Sequence, residues 1–329
     1  MLNSIIIYSL LSFLILILFA KVSYKLNLVD IPSDRKKHSK ATAYTGGLAI
    51  SVIYVISIVL FEVVGSKLNI IMSISFIMAI VGFVDDKYQI NIGGKLSLQI
   101  IPIMYLIVLE NFHLIQIGDY NYFKLELNSF SIPFTLFSIL FLINSFNYFD
   151  GKDGTLGFTT ISTLVILYFL ISDENIKLIL ITILLPLCIF LCFNFSLFNL
   201  PKLFLGDGGS LLLGFIVSFI LIYLANKNLV HPILLAWSVV IFVFEFISIN
   251  LIRIKKNKAI FKATQDHLHH IFLEKTESIF LTNFFISSIN IVLFIAGYFS
   301  FILIGPLASL ILFIFSFIVF FLLRDAYSK

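Results

Sequence analysis

The sequence predicts an all-α integral membrane protein that crosses the bilayer many times. Of its 329 residues, 60% are apolar, only 12% carry a charge and 38 are phenylalanine. A soluble core of this size does not need so many apolar residues, so the composition indicates a polytopic membrane protein. Apolar runs recur along the whole chain and leave no stretch for an independent soluble domain. We therefore expect one transmembrane domain over residues 1–329.

About eleven spans are expected, because a full crossing needs about 20 apolar residues and some runs are shorter, tilted or fused. The runs are Ser4–Ala20, Gly46–Val64, Leu68–Val84, Leu96–Leu109, Ser131–Ile143, Thr155–Ile171, Leu178–Phe195, Ser210–Ala225, Ile233–Ile252, Ile279–Phe299 and Ile302–Leu323. Two cysteines, Cys188 and Cys192, lie four residues apart inside one run. That spacing is typical of small apolar residues on one helix face and disfavours a disulfide.

The distribution of basic residues predicts the orientation. With the N-terminus outside, 18 of the 22 Lys and Arg residues fall in loops on one side. An excess of Lys and Arg marks cytoplasmic loops, so that side and the C-terminus should be cytoplasmic. A set of acids and histidines sorts to the same side: Asp85, Asp86, Asp150, Asp153, Asp207, His267, His269 and His270. Any chemistry should therefore face the cytoplasm.

The most informative polar stretch lies between two apolar runs, from Asn144 to Gly154. Two amides and two carboxylates recur in it at intervals of three: Asn144, Asn147, Asp150 and Asp153. Residues three apart are neighbours on a helix surface, and Gly151 and Gly154 then weaken the helix and admit backbone close to a ligand. Oxygen-rich side chains at the mouth of an apolar helix suit a hard cation or a phosphorylated ligand. A polar cap where a membrane helix meets water is the alternative interpretation.

Two further acidic motifs sort to the same side. The first places Asp85 and Asp86 at the end of an apolar run and Lys95 at the start of the next. That lysine either neutralises a phosphate or only anchors its helix by extending the ammonium to the interface. The second places Asp207 between glycines at the start of a helix, where exposed N–H groups attract anions and the carboxylate can hold a cation. Capping of that helix by Asp207 or Ser210 is the plainer interpretation.

A histidine-rich segment lies in a long basic loop expected from Arg253 to Thr276. Three imidazoles within four residues, those of His267, His269 and His270, could ligate zinc, but no cysteine or further histidine accompanies them. Donation to phosphate oxygens suits a segment beside so many lysines better. The alternative is an ordinary solvated loop.

Taken in chain order, the four motifs resemble those of the polyprenyl-phosphate N-acetylhexosamine-1-phosphate transferase family, in its bacterial undecaprenyl-phosphate GlcNAc-1-phosphate transferase branch. The matching patterns are Asp-Asp with Lys ten residues on, Asn-x-x-Asn-x-x-Asp-Gly-x-Asp-Gly, Lys-x-Phe-x-Gly-Asp-x-Gly-Ser and His-x-His-His. The match covers nearly the whole chain and includes Arg35 in the first loop. It departs at Lys152, where the family has an apolar residue, and at Thr264–Gln265, where the family has Asp-Arg. These departures bear on sugar specificity more than on reaction type.

The resemblance implies that N-acetylhexosamine 1-phosphate, with GlcNAc the first choice of sugar, passes from a UDP-sugar to undecaprenyl phosphate and UMP is released. This is the first membrane step of O-antigen, other surface polysaccharide or teichoic acid synthesis. The resemblance also implies the bacterial cytoplasmic (inner) membrane, an active site on its cytoplasmic face and no nucleic acid partner, and it suggests homodimers. A 6-deoxy N-acetyl sugar or MurNAc-pentapeptide is an alternative donor moiety. Outside the enzyme class, the alternative is a lipid or solute transporter.

The resemblance also implies roles for individual residues. The catalytic residues would be Asp85, Asp86, Lys95, Asp150, Asp153 and His267. The substrate-binding residues would be Arg35, Asn144, Asn147, Lys202, Arg253, His269 and His270. The metal ligands would be Asp207 and Asn147, holding Mg²⁺ or, alternatively, Mn²⁺. Whether Asp85 acts as a base or only orients other groups stays open, because a phosphomonoester with a second pKa of about 6 is already mostly ionised at neutral pH.

Overall fold

The computed structural model describes residues 2–32, 41–61, 66–258 and 267–327, and helices dominate those residues. The α-helices are α1 (Leu2–Lys25), α2 (Gly46–Phe61), α3 (Ser66–Tyr88), α4 (Ile92–Met104), α5 (Ser131–Phe149), α6 (Thr155–Leu170), α7 (Glu174–Asn194), α8 (Gly206–Asn226), α9 (Pro232–Ser238), α10 (Val240–Lys255), α11 (Leu268–Thr276), α12 (Ile279–Leu303) and α13 (Pro306–Ala326). A π-helical turn, Tyr105–Leu109, continues α4. Two antiparallel sheets of two strands each pair β1 (Val29–Asp30) with β2 (Thr42–Ala43) and β3 (Gln116–Asp119) with β4 (Lys124–Glu126). Short 3-10 helices span Asn128–Phe130 and Leu197–Asn199.

Each apolar run of the sequence carries a helix, which confirms an all-α polytopic membrane protein. Among the described residues, eight helices are long and apolar enough to cross a membrane, and a ninth span results if the bent pair α9–α10 counts as one. Two more apolar helices, α2 and α6, are shorter than that criterion. The count of eleven spans and the orientation of the termini stay predictions. Both cysteines are free, as their spacing predicts.

The run Ile233–Ile252 does not form the single continuous helix expected from its apolar composition. It breaks at Val239, and the axes of α9 and α10 differ by 73°. The break frees the Ser238 carbonyl, which accepts hydrogen bonds from Thr163 Oγ1 at 2.9 Å and Asn290 Nδ2 at 3.2 Å. A broken helix is tolerated inside a membrane where neighbouring side chains satisfy the freed backbone groups in this way.

The chain forms two compact units, each of which is described separately below. The first unit comprises Met1–Tyr105 and Ser172–Ile216, and the second comprises Leu106–Ile171 and Val217–Lys329. The single transmembrane domain expected from the sequence stays a prediction.

In the first unit, α2 packs on α1, α3 and α7, α1 also packs on α7, and α4 packs on α3. Pro186 interrupts α7, and a proline in a helix cannot donate to the carbonyl four residues earlier, here that of Thr182. The hydroxyl of Tyr8, which is fully buried, donates to that carbonyl at 2.8 Å. The neighbouring Ile183 carbonyl likewise accepts from Tyr54 at 3.0 Å. Two buried tyrosines thus bind α1 and α2 to the part of α7 that precedes Pro186.

In the second unit, α12 packs on α6, α9 and α13, and α10 packs on α5 and α13. Aromatic rings fill the interface between α5 and α10. Phe146 stacks on Phe242 with ring centroids 4.0 Å apart, and Phe149 lies 4.6 Å from the same ring. The Ser145 hydroxyl donates to the Phe242 carbonyl at 2.9 Å. These contacts fix the end of α5, where the central polar stretch of the sequence begins.

Candidate active site

In the first unit, the ammonium of Lys95 lies between the carboxylates of Asp85 and Asp207. Nζ is 2.8 Å from Asp85 Oδ2, and it also donates to Asp207 Oδ2. The side chains of Lys95 and Asp85 are 16% and 12% exposed, whereas that of Asp207 is 30% exposed. A lysine that only anchored its helix would extend its ammonium to water. The structure instead brings the motif of Asp85 and Lys95 together with the motif of Asp207. The Asp207 carboxylate is the most accessible of the three groups.

Helix ends position these side chains. Asp85 and Asp86 lie in the last turn of α3, and Lys95 lies in the first turn of α4 after Asn91, which caps that helix. Asp85 Oδ1 accepts a hydrogen bond from the Ile90 N–H at 2.9 Å, which fixes the connection between the two helices. Asp207 lies in the first turn of α8, as the sequence predicts.

Glycines let the backbones of three helices approach one another at this point. A β-carbon on Gly82 would overlap the backbone of Asp207 and Gly208. A β-carbon on Gly47 would overlap the backbone of Gly208 and Gly209. The start of α8 therefore rests directly on α2 and α3, an approach that residues with side chains could not make. The structure thus supplies the reason for glycine at positions 47 and 82.

The donor set of the first unit suits a hard divalent cation. Three carboxylates (Asp85, Asp86 and Asp207) and one ammonium (Lys95) leave two formal negative charges. Among the described residues, no three His, Cys, Asp or Glu side chains are arranged to hold a metal ion by themselves. Mg²⁺ commonly keeps several waters and takes one or two carboxylates together with substrate phosphates, so this set fits Mg²⁺ bound along with a phosphorylated ligand. The other predicted ligand, Asn147, belongs to the second unit, and its sharing of one ion with Asp207 stays a prediction.

In the second unit, the expected helical spacing of the central polar stretch holds only for Asn144 and Asn147. The helix α5 ends at Phe149, Asp150 is its C-terminal cap, and Asp153 lies in the turn before α6. The expectation that all four polar side chains share a helix surface is therefore wrong. The cause is the glycine content of the stretch, since glycine weakens a helix.

Hydrogen bonds with a buried side-chain amide fix the turn between α5 and α6. Asn283 on α12 is fully buried, and its Nδ2 donates to the Asp153 carbonyl at 2.7 Å. Its Oδ1 accepts from the hydroxyl of Thr155, the first residue of α6, also at 2.7 Å. Gly154, between them, has a φ of +76°, a conformation that favours glycine. The sequence analysis missed Asn283, although an amide inside an apolar run was an available signal.

The histidine segment, His267–His270, is not the loop expected from the sequence. His267 is the N-cap residue of α11, and His269 and His270 lie in its first turn. His269 is 2% exposed, and its ring occupies the place that a β-carbon on Gly151 would take. The structure therefore brings the polar stretch that contains Gly151 into contact with the histidine segment. The expectation of an irregular loop was wrong because the segment packs and forms a helix.

Tyr148 links the two motifs further, and the sequence analysis did not single it out. Its ring centroid lies 5.2 Å from that of His267, in an edge-to-face arrangement. The guanidinium of Arg253 lies 5.5 Å from the centroid of the Tyr148 ring, and Arg253 is only 2% exposed. The ring thus holds two of the predicted site residues beside the end of α5.

Burial lowers the pKa of His269 well below its usual range, and nearby His267, His270, Lys152 and Arg324 act in the same direction. The imidazole is therefore neutral at neutral pH. Its Nε2 has no hydrogen-bond partner within the part of the chain that the structure describes. A neutral ring can donate or accept a hydrogen bond but does not bring a positive charge to a phosphate.

Further predictions concern Lys202, Arg35 and the Thr264–Gln265 pair. Lys202 lies in the connection before α8, with Nζ 5.3 Å from the centroid of the Phe204 ring. Arg35 and the Thr264–Gln265 pair lie outside the described residues. The assigned roles of all these residues, and of Asp150, Asp153 and the three histidines, stay predictions.

Glu245, a charged residue inside an apolar run, has an ion-pair partner that the sequence did not reveal. Glu245 stands in the middle of α10 and is 2% exposed, and it forms an ion pair with Arg324 near the end of α13. At the level of sequence, Arg324 is only one of the 18 basic residues that predict the orientation. An ionisable residue within a span indicates a functional role and calls for a named partner, so the signal was present at Glu245.

Replacing Gly151 with alanine is expected to destabilise the protein by about 1–3 kcal/mol, because the new methyl group must displace the His269 ring. The measurement is thermal unfolding in detergent. Removing the ring in the double variant Gly151→Ala/His269→Ala should restore part of the loss, since the two sites are in contact. Gly93→Ala is the matched control, because a β-carbon there would lie 3.6 Å from Asn91 Oδ1 and meet no obstacle. Equal stability of Gly151→Ala and Gly93→Ala would contradict this account.

Comparison with known proteins gives consistent matches. The model of glycosyl transferase family 4 matches residues 68–225. A protein of Bacillus subtilis strain 168 named probable undecaprenyl-phosphate N-acetylglucosaminyl 1-phosphate transferase is 30% identical over 276 residues, 80% of this chain and 75% of that protein. Proteins named undecaprenyl-phosphate alpha-N-acetylglucosaminyl 1-phosphate transferase are 26% identical in Escherichia coli strain K12 and 24% identical in Yersinia pestis. Each of these two matches covers 77% of this chain and 71% of the relative.

Proposed function

The chain belongs to glycosyl transferase family 4, and on that premise we propose that it transfers N-acetylglucosamine 1-phosphate from UDP-N-acetylglucosamine to undecaprenyl phosphate. The names of the relatives support the choice of both substrates. The observation that carries the proposal is the group formed by Lys95, Asp85 and Asp207, a phosphate-neutralising cation held beside an accessible carboxylate. The bacterial cytoplasmic membrane, with the reacting groups on its cytoplasmic face, is part of the same proposal.

In the proposed reaction, an oxygen of undecaprenyl phosphate attacks the sugar-bearing phosphorus of the UDP-sugar. A new phosphorus–oxygen bond forms to the lipid phosphate, the bond between the two donor phosphates breaks, and UMP leaves with the electron pair of that bond. The attacking phosphate has a second pKa of about 6 and is mostly ionised at neutral pH, so it needs little help from a base. The main requirement is positive charge that offsets repulsion between the phosphates.

The residues of the first unit match that requirement. Lys95 would hold a phosphate oxygen, and Asp85, which binds Lys95 Nζ and the Ile90 N–H, would orient the ammonium rather than remove a proton. Asp207 would be a ligand of Mg²⁺, with Mn²⁺ as a substitute. When bound, the ion would supply charge stabilisation at the donor phosphates. Asn147 as a second ligand, homodimer formation and the polymer that the product initiates stay predictions.

Two observations argue against the transporter alternative. Transporters commonly bind substrates at broken helices and at ionisable residues near the middle of the bilayer. At the break between α9 and α10, the Ser238 carbonyl is already bonded to Thr163 and Asn290. Glu245, the acid that stands within a span, is already paired with Arg324. Both features are satisfied by groups of the protein itself.

The test is turnover by the purified protein in detergent, where no gradient exists. Undecaprenyl phosphate is mixed with one UDP-sugar at a time: UDP-GlcNAc, a 6-deoxy UDP-N-acetyl sugar or UDP-MurNAc-pentapeptide. UMP is quantified and the lipid product is identified by its mass. UDP-GlcNAc is expected to give UMP and a lipid diphosphate bearing the sugar. Exclusive use of UDP-MurNAc-pentapeptide would overturn the donor assignment, and absence of UMP release with every donor would overturn the reaction.

Activity is expected to require a divalent cation, because the acids around Lys95 leave uncompensated negative charge that would repel the donor phosphates. Excess chelator should abolish UMP release, and added Mg²⁺ should restore it. Mn²⁺ should restore it in part or in full, whereas Ca²⁺, a larger ion with a different coordination preference, should do so less well. Full turnover in excess chelator would contradict the proposed metal requirement.

A further inference from the structure

A buried ion pair joins α10 to the C-terminal helix α13 in the second unit. Arg324 Nε donates to Glu245 Oε2 at 2.9 Å, and Nη2 donates to Oε1 at 3.2 Å. The side chains are 3% and 2% exposed. Such a pair is often no more stabilising than two apolar residues of similar volume, because desolvation of both charges offsets their attraction. Stability alone therefore does not explain why this pair is present.

Glu245 makes a third contact that points to its use. Its Oε1 accepts a hydrogen bond from the backbone N–H of Leu268 at 2.8 Å. Leu268 is the first residue of α11, and the first N–H groups of a helix have no partner within that helix. Within the described residues, the side chain of the N-cap residue His267 bonds none of them. The carboxylate of Glu245, contributed by another helix, takes the place of the missing cap.

The environment of Arg324 is equally specific. Most of α13 is exposed in the structure, and Ser309 and Arg324 are its buried residues. The guanidinium thus enters the interior where Glu245 stands, in a fork geometry suited to a carboxylate. It compensates the charge of the buried Glu245 carboxylate, whereas the first turn of α11 depends on the bond from the Leu268 N–H to that side chain.

We infer that Glu245 is a positioning residue that holds the histidine segment, His267–His270, in its place beside Gly151, and that Arg324 compensates the charge of the buried Glu245 carboxylate. The inference rests on the proposed function and on the predicted role of the three histidines in it. A positioning role differs from a purely structural link between α10 and α13 in one testable respect. The bond from Leu268 to Glu245 should matter more than the charge of the pair.

Two double variants separate these possibilities. Glu245→Gln/Arg324→Met removes both charges but keeps an amide oxygen that can accept from the Leu268 N–H. Glu245→Leu/Arg324→Met removes both charges and the acceptor. Both should fold, because neither leaves a charge unpaired in the interior. The first should retain kcat/KM within about threefold of the original protein, and the second should lose about tenfold or more, the effect expected for one lost hydrogen bond.

Hydrogen–deuterium exchange supplies a readout that does not depend on turnover. The amides of α11 should exchange at the original rate in the glutamine variant and clearly faster in the leucine variant. Equal exchange and equal turnover in the two variants would overturn the inference and leave the ion pair as a structural link. If the original protein releases no UMP, the proposed function fails, while the exchange comparison still decides whether Glu245 anchors α11.

A second pair of variants avoids the buried charges altogether. Leu268→Pro removes the N–H donor at the first position of a helix, where proline is tolerated. His267 already has an extended backbone, with φ −72° and ψ 156°, which suits the residue before a proline. Leu268→Ala is the control, because it removes a similar amount of side chain and keeps the N–H. Faster exchange of α11 and lower kcat/KM in Leu268→Pro than in Leu268→Ala would support the inference, and equal values would contradict it.

A second ion pair between α10 and α13 provides a control. It tests whether any link between these two helices is enough to hold α11. Lys255 Nζ lies 2.6 Å from Asp325 Oδ2, so it also joins α10 to α13, but the lysine side chain is 63% exposed. Exposed pairs contribute little to stability. The double variant Lys255→Ala/Asp325→Ala is expected to keep both the turnover and the α11 exchange of the original protein. If α11 exchanges as fast in this control as in Glu245→Leu/Arg324→Met, a specific role for Glu245 is overturned.

Discussion

Replacing Asp207 with asparagine should lower kcat/KM for UMP release by about 100-fold or more, an effect typical of losing one electrostatic group at a reacting centre. The substitution keeps the size of the side chain but removes the negative charge that binds Lys95 and that a divalent cation would require. The first turn of α8 needs only a small polar residue, so the fold should survive. The measurement is turnover with UDP-GlcNAc, together with the melting temperature of the purified variant.

The control for this variant is another acid at the start of a helix. Asp173 caps α7, where its Oδ1 accepts from the N–H groups of Asn175 at 2.9 Å and Ile176 at 3.2 Å. Asparagine caps a helix about as well as aspartate, so Asp173→Asn should retain both stability and turnover. If Asp207→Asn behaves in the same way, Asp207 is a capping residue and the proposed site is misplaced.

Replacing Lys95 with methionine should have an effect of similar size, again about 100-fold or more on kcat/KM. Methionine keeps most of the aliphatic stem but removes the ammonium that binds both Asp85 and Asp207. Those carboxylates would then face the donor phosphates without compensation. The loss should appear in turnover with either Mg²⁺ or Mn²⁺, and addition of more metal should not restore it.

The comparison variant is Lys177→Met. Lys177 also lies in the first turn of an apolar helix, α7. Its Nζ pairs with Glu174 at 2.8 Å, but the Glu174 side chain is 81% exposed. Exposed pairs between residues three apart on a helix contribute about 0.2–0.5 kcal/mol, so this variant should remain fully active. Equal turnover in the two methionine variants would favour an anchoring role for Lys95.

The sequence by itself determined the class of the fold and named the candidate residues of the site. Runs of apolar residues have the length of membrane spans, and this local property predicted a helix wherever the structure has a long one. The four polar motifs were also readable, because an acid, an amide or a histidine at the edge of an apolar run departs visibly from its surroundings. Asp85, Lys95 and Asp207 were named on that basis, and the structure brings them together in the first unit.

Local patterns also misled at two places, once because glycines weaken a helix and once because tertiary contacts decide the backbone. The spacing of Asn147, Asp150 and Asp153 suits a helix, yet α5 ends before Asp150. The histidine segment was expected to be a loop, yet it starts α11, because the Leu268 N–H finds an acceptor on α10. A helix of nine residues is too short to be stable by itself, so its formation depends on contacts that periodicity does not describe.

Only the tertiary structure decided which motifs meet. Lys95 and Asp207 are 112 residues apart in the chain, and Glu245 and Arg324 are 79 residues apart. Nothing in the local sequence links such partners, since many pairings of acids and bases satisfy the same composition. The physical reason that one pairing wins is desolvation, because a charge removed from water must end beside an opposite charge or a hydrogen-bonding group. That requirement places Glu245 between Arg324 and Leu268, where it holds the histidines against Gly151.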